Sequence, residues 1–399
     1  MNRDIAILFV TRGARLFAYG FLSVILALHL DAIGFSGSQI GLLLTLTLIG
    51  DVVVSFWIST SADRIGRRRM LVAGALLMAV GGAAFASTTD AALLMIIATI
   101  GVFSASGKEV GPFLSIEQAS LTQLVSATRR THIIARYALT GSFASALGAL
   151  AAGAITGVLQ KGGMAPAQSY RVLLWAYAGF GVLVAVLFLR LSHGIEAPSA
   201  PARNRLGLHR SRGPVLRLSA LFAMDSFAGG FIIQSLLALW FHLRFGFDVT
   251  ALGTLFFVAN LLAGLSALLA ARIAARIGLI NTMVFTHLPS NVMLMLVPLM
   301  PTAGTAVALL LVRFSISQMD VPTRQSYTMA IVDPDERSAA AGITGIARSV
   351  GAAISPALSG ALMANAALLA APFYVAGGLK IIYDLLVYRG FKANRPPEE

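Results

Sequence analysis

Ser59 to Leu71 reads STSADRIGRRRML. The run packs Asp63, Arg64, Gly66, Arg67, Arg68 and Arg69 between two long apolar stretches, 37–61 and 70–88. Gly66 permits a tight turn there, because a residue without a Cβ enters backbone conformations that others avoid. A spanning helix needs about 20 mostly apolar residues. Two such stretches joined by a short basic turn read as two membrane helices folded back on each other, with the arginines held on one side of the bilayer.

The same pattern continues along the whole chain. Twelve apolar windows fall at 6–30, 37–61, 70–88, 91–111, 132–159, 169–190, 215–240, 249–271, 281–300, 303–322, 338–363 and 370–389, separated by Gly, Pro, Ser or charge clusters. The 399 residues are 57% hydrophobic and 12% charged, with mean hydropathy +0.81. Ordinary globular chains carry about 25% charged residues, so this one cannot cover its surface in water. The expected fold is an all-α polytopic membrane protein with 12 transmembrane helices. The first window holds Arg12 and Arg15, follows Arg3 and Asp4, and lacks a small-residue cleavage site. It reads as a spanning helix and not as a removable signal peptide.

The net charge of +13, from 30 Lys and Arg against 17 Asp and Glu, invites a nucleic-acid reading that its distribution excludes. With both termini in the cytoplasm, Lys161, Arg171 and Arg244 are the only cations in outer loops. Seven cations, Arg12, Arg15, Lys108, Arg136, Arg313, Arg348 and Lys380, fall inside spans, and the rest lie on the inner side. The charge is a topology signal, and it places both termini in the cytoplasm. Lysine occurs only at 108, 161, 380 and 392. That arginine preference fits a high-GC bacterial genome and hence a cell (inner) membrane. Cysteine is absent, which excludes disulfides and thiolate sites.

Residues 190–214, rich in Pro and Arg, form the longest polar stretch, between the sixth and seventh windows. The expected division is an N-terminal six-helix bundle over 1–190, a cytoplasmic linker over 191–214, and a C-terminal six-helix bundle with a short cytoplasmic tail over 215–399. The halves resemble each other. RLFAYGF (Arg15 to Phe21) pairs with DSFAGGF (Asp225 to Phe231), ADRIGRRR (Ala62 to Arg69) with AARIGLIN (Ala274 to Asn281), and GALAAG (Gly148 to Gly153) with SPALSG (Ser355 to Gly360). Three matches in order, at offsets of 210, 212 and 207 residues, support a parallel duplication into two pseudo-symmetric six-helix bundles.

STSADRIGRRRML resembles the G-x-x-x-D-R-x-G-R-[RK] loop of the major facilitator superfamily, with Ser59 in place of the leading glycine. The second copy has Ala275 at the aspartate position. Gly148 and Gly153 resemble the family's antiporter-associated G-P-x-x-G-G motif, with Ala149 replacing its proline. The resemblance covers essentially the whole chain. It implies a secondary transporter of the 12-helix proton-coupled drug-efflux type, with Asp63, Arg64, Gly66 and Arg67 as a cytoplasmic gate. Asp63 suits that role physically, since it can accept from a helix N-terminus or pair with an arginine of the other half. The other reading of the arginines is topology alone.

A charge near the bilayer centre costs about 2.5–3.5 kcal/mol on insertion scales, so it faces a cavity or a partner. Asp51, Glu109 and Asp225 are the proton-coupling candidates, because burial moves a carboxyl toward titration near neutral pH. Arg15 and Asp225 occupy equivalent repeat positions, which suggests an ion pair or one substrate bridging them. Substrate-cavity candidates are Arg15, Lys108, Arg313, Arg348 and the aromatics Phe17, Tyr19, Phe227 and Phe231. Lys108 and Glu109 are neighbours on a predicted helix, so only one can face the cavity squarely. The i, i+4 pair Lys380 and Asp384 reads as a structural ion pair. His29, His242 and His287 show no metal-ligand spacing, and no phosphate loop or nucleophile elbow is present.

These residues predict a transporter and not an enzyme. It would need no cofactor or metal, and its partners would be a small-molecule substrate, protons and the lipid bilayer, with no nucleic acid, in a chain acting as a monomer. Proton-coupled efflux of amphipathic compounds by alternating access is the leading expectation. Arg15, Arg313 and Arg348 support the alternative, proton-coupled uptake or exchange of a small organic anion.

Overall fold

The computed structural model describes residues 3–109, 111–196, 210–333 and 336–392. The centre of the linker, 197–209, and the end of the tail lie outside them. Among the described residues the regular elements are all helical. Ten segments are long and apolar enough to cross a membrane, and two further apolar helices, Ala91–Ile100 and Ala303–Phe314, are too short alone. Each short helix is followed by a second one after a break, and counting each such pair as one span gives twelve.

The six spans of the first half are α1 (Arg3–Ala32), α2 (Gly37–Ile65), α3 (Arg67–Ser87), α4 (Ala91–Ile100) with α5 (Phe113–Leu124), α6 (Ala127–Lys161) and α7 (Pro166–Leu189). In the second half, the seventh span is α8 (Arg212–Gly230) with α9 (Gln234–Phe245). It is followed by α10 (Val249–Ile277), α11 (Leu279–Leu296), α12 (Ala303–Phe314) with α13 (Asp320–Ala330), α14 (Arg337–Met363) and α15 (Ala371–Phe391).

Two expectations are corrected here. The fourth window, 91–111, is not one helix. It stops at Ile100, and the described backbone between there and Phe113 is irregular, with Gly107 at φ 68° and Gly111 at φ 80° ahead of Pro112, the N-cap of α5. Glycines in that backbone region and a proline keep the helix from resuming before Phe113. The tenth window, 303–322, likewise breaks after Phe314 and resumes at Asp320. Irregular backbone at membrane depth is tolerated where protein surrounds it.

The chain divides into two compact units. One contains residues 1–201 and 234–257, the other 202–233 and 258–399. In the first, α1 packs on α6 and α3 on α7; in the second, α8 packs on α14 and α11 on α15. These are the same span pairings, first with fifth and third with sixth, in each half. Close crossings use glycine: a Cβ on Gly148 would lie 2.0 Å from the Phe17 carbonyl oxygen, and one on Gly351 would lie 2.3 Å from that of Ala223. Small residues let membrane helices approach backbone to backbone. The repeat is visible in the turns as well, since Gly66 (φ 115°) joins α2 to α3 and Gly278 (φ 86°) joins α10 to α11.

Large apolar side chains stand on the outside, among them Phe56, Trp57, Val158 and Leu189, each about three-fifths exposed or more. Such a surface has no stable counterpart in water and suits lipid.

Candidate functional site

The basic loop is held by groups from its own unit. Asp63 is mostly exposed and accepts from Arg67 Nε at 2.9 Å, and Arg64 is exposed. The N-terminus of α3 is capped by Glu196, which accepts from the Arg67 amide at 2.6 Å and the Arg68 amide at 3.3 Å. A carboxylate there meets the free amides and the positive end of the helix. Arg67 also donates to Gln123 Oε1 and to the Ile195 carbonyl, and Arg68 to the Leu191 carbonyl. Asp4, at the start of α1, accepts from the Ser192 amide and hydroxyl. The first residues of the linker are therefore tied to the ends of α1 and α3.

A charged cluster lies inside the first unit. Arg15, without exposure, makes a two-point pair with Glu117 of α5, Nη1 to Oε1 at 2.8 Å and Nη2 to Oε2 at 2.7 Å. Its guanidinium stacks 4.2 Å from the centre of the Phe113 ring and also reaches Glu109 at 3.2 Å. Arg12, one turn earlier, donates to Glu109 Oε2 at 2.6 Å and to the Tyr137 carbonyl at 2.8 Å. The Tyr137 hydroxyl donates to Glu117. Two arginines thus face two glutamates, and the bidentate geometry is the strong one for this pairing.

Of the adjacent Lys108 and Glu109, Glu109 enters this cluster and Lys108 is exposed. The break after α4 turns them apart. Asp51 accepts from the Gly111 amide and from Ser55 Oγ at 3.1 Å, so it holds the irregular segment against α2.

The second unit has its own cluster, centred on Asp225 of α8. Lys380 Nζ is 2.5 Å from Oδ1, and Arg324 Nη1 is 2.9 Å from Oδ2 and 3.4 Å from Asp320. His287 Nδ1 lies 2.8 Å from Asp384 Oδ1, and Asn291 donates to Asp384 Oδ2 at 3.0 Å. The expected Lys380–Asp384 pair is corrected: Lys380 reaches across to α8, while α11 supplies the partners of Asp384. Helix spacing allowed the local pair, but tertiary packing offered each group a better one. Arg15 and Asp225, read as possible partners of each other, each close ion pairs within their own unit.

Arg313, at the end of α12, is buried over the Phe314 ring, and its Nε has no hydrogen-bond partner. Arg348 Nε is likewise unpartnered. Neither forms an ion pair among the described residues. Tyr19 is fully buried beside Tyr177, Phe17 packs with Phe21 and Phe180, and Phe227 meets Phe231 edge-on at 5.3 Å.

Glu117 and Asn291 are not among the sequence candidates, and His287 is considered there only for metal-ligand spacing. Glu117 falls beyond the fourth window, yet it sits in a buried stripe with Phe113, Ile116, Ser120 and Leu121. His287 and Asn291 lie in a similar stripe on α11 with Met283, Val284 and Leu294. A polar residue inside an amphipathic stripe was the available signal.

Residues 8–319 match the Major Facilitator Superfamily. The Saccharomyces cerevisiae "Uncharacterized membrane protein YJR124C" is 30% identical, covering 97% of this chain and 93% of that protein. Quinolone resistance protein NorA of Staphylococcus aureus is 28% identical over 105 residues, 26% of this chain and 27% of NorA. Among solved structures, nucleoside transporter NupG shares the fold with a TM-score of 0.76 at 14% identity, covering 98% of this chain and all of NupG. A D-xylose-proton symporter does so with a TM-score of 0.72 at 15% identity, covering 96% and 97%. A match across most of the length, on a twelve-span helical chain, establishes that this protein belongs to the Major Facilitator Superfamily and is a multi-pass membrane transporter.

Proposed function

We propose that this transporter is proton-coupled, works by alternating access, and exports amphipathic small molecules. The observation that carries the coupling is Asp225, a buried carboxylate in the middle of the seventh span, shared by Lys380 and Arg324. Protonating such an acid releases two cations at once, which is how a proton can be exchanged for a rearrangement or a substrate. Glu109, between Arg12 and Arg15, and Asp51 are the further coupling candidates. The partial similarity to a quinolone resistance protein supports efflux.

In this account the chain works as two halves, 1–190 and 215–399, joined by the linker 191–214. Asp63, Arg64, Gly66 and Arg67 form the cytoplasmic gate. Phe17, Tyr19, Phe227, Phe231, Arg15 and Lys108 belong to the cavity side of their spans. The chain acts as a monomer in the cell (inner) membrane of a bacterium, with both termini in the cytoplasm. The distribution of its cations supports the orientation, and its arginine preference supports the origin. The test is proton movement in proteoliposomes against addition of amphipathic cations, comparing the parent with Asp51→Asn, Glu109→Gln and Asp225→Asn. Unchanged coupled transport in all three would sink the assignment.

A second reading has a specific observation behind it. Among the described residues, Arg313 is buried with an unpartnered Nε, and Arg348 also lacks an ion-pair partner. An arginine fork suits carboxylate or phosphate, so a small organic anion is the alternative cargo. A thermal-shift screen of cationic drugs against organic anions separates the two, and stabilisation by anions alone favours this second reading.

A further inference from the structure

His287 of α11 stands between two carboxylates carried by other helices. Its Nδ1 is 2.8 Å from Asp384 Oδ1 on α15, and its Nε2 is 3.9 Å from Asp225 Oδ1 on α8. All three side chains are buried. Imidazole can take a proton on one nitrogen and release another from the opposite nitrogen, which no other side chain does near neutral pH. Asn291, one turn further along α11, donates to Asp384 Oδ2 at 3.0 Å and lies 3.2 Å from His287 Nδ1. It fixes the carboxylate and the ring relative to each other. The Tyr383 ring meets the imidazole edge-on at 5.9 Å.

The charged surroundings are defined from every side. Lys380 of α15 holds Asp225 Oδ1, the same oxygen that His287 approaches, and Arg324 of α13 spans Asp225 and Asp320. Arg348 of α14 and Arg313 of α12 lie within electrostatic reach of Asp225. The Tyr383 hydroxyl has no hydrogen-bond partner among the described residues. Two carboxylates flanking an imidazole, in a cluster where a lysine competes for one of them, is more than charge neutralisation requires. Lys380 and Arg324 already satisfy Asp225.

We propose that Asp384, His287 and Asp225 form a relay that carries the coupling proton across three helices. The inference rests on the proton-coupled reading above and names the path within it. The step balances. The carboxyl proton of Asp384 passes to Nδ1 while the Nε2 proton passes to Asp225 Oδ1. Asp384 ends as carboxylate, Asp225 as carboxylic acid, and the ring as its other neutral tautomer. The 3.9 Å gap closes as Lys380 withdraws from the shared oxygen. A neutral Asp225 then no longer holds Lys380 or Arg324, and α8 is released from α15 and α13.

The test needs no knowledge of the substrate. In the cysteine-free chain, Lys161→Cys and Ala364→Cys place spin labels at the ends of α6 and α14, and pulsed dipolar spectroscopy in phospholipid nanodiscs gives the populations of the conformers as pH is varied. The relay predicts that the parent populations titrate. It also predicts that both His287→Gln and Asp384→Asn move the midpoint by at least about one pH unit, a tenfold change in proton affinity. If the parent titrates and both variants keep its midpoint, the relay is overturned while proton coupling stands. If the parent does not respond to pH, both fall. Asp384→Asn is isosteric and carries the test should His287→Gln fail to fold.

Discussion

Arg15 and Glu117 form a two-point ion pair in which neither side chain has any exposure, with contacts of 2.8 and 2.7 Å. A pair closed to water cannot turn to solvent, and breaking a buried pair by removing one member costs about 3–5 kcal/mol, although Glu109 also contacts Arg15 and Tyr137 also contacts Glu117. Glu117→Gln is therefore expected to lower the melting temperature of the purified protein sharply. Arg15→Lys is expected to do so as well, because an ammonium cannot reproduce the fork. An unchanged melting temperature in either variant contradicts the assigned role.

The crossing of α1 and α6 depends on Gly148, where a Cβ would sit 2.0 Å from the Phe17 carbonyl oxygen. Gly148→Leu is expected to abolish a monodisperse gel-filtration peak, and Gly148→Ala to reduce its yield. Gly179→Ala, where an added Cβ meets nothing within 4 Å, is expected to behave as the parent.

The distribution of hydropathy and charge made the membrane class, the twelve spans and the repeat legible, because each needs only the number and order of apolar windows. The breaks in the fourth and tenth spans were less legible. A window average treats Gly101 to Gly111 as apolar and passes over the helix end at Ile100, which the backbone shows. Among the candidate residues, the intramembrane charges could be picked out from the sequence, but not their partners. Lys380 and Asp384 show the reason: helical spacing describes neighbours on one helix, while their actual partners, Asp225 and His287, lie on α8 and α11.

Glu196 caps the helix that begins at the basic loop, through the amides of Arg67 and Arg68. Glu196→Ala is expected to cost about 1 kcal/mol, as for other lost caps, and to speed proteolytic cleavage after Leu191. Limited proteolysis followed by mass mapping measures this. Equal cleavage rates in variant and parent contradict a docked linker start.

Asp63 is about two-thirds exposed, and its pair with Arg67 is of the kind worth about 0–1 kcal/mol. Asp63→Asn is expected to leave the melting temperature nearly unchanged while shifting the conformer populations read by cysteine accessibility in the cysteine-free chain. A variant with parental populations removes the gate assignment from Asp63.

The central claim is that Asp225, held by Lys380 and Arg324, couples protons to transport. Its most direct test is the internal pH of proteoliposomes containing a trapped pH dye, recorded on addition of the compound that most raises the melting temperature in the screen. The account predicts a proton movement with the parent protein and none with Asp225→Asn. A proton movement of equal size in that variant would contradict it.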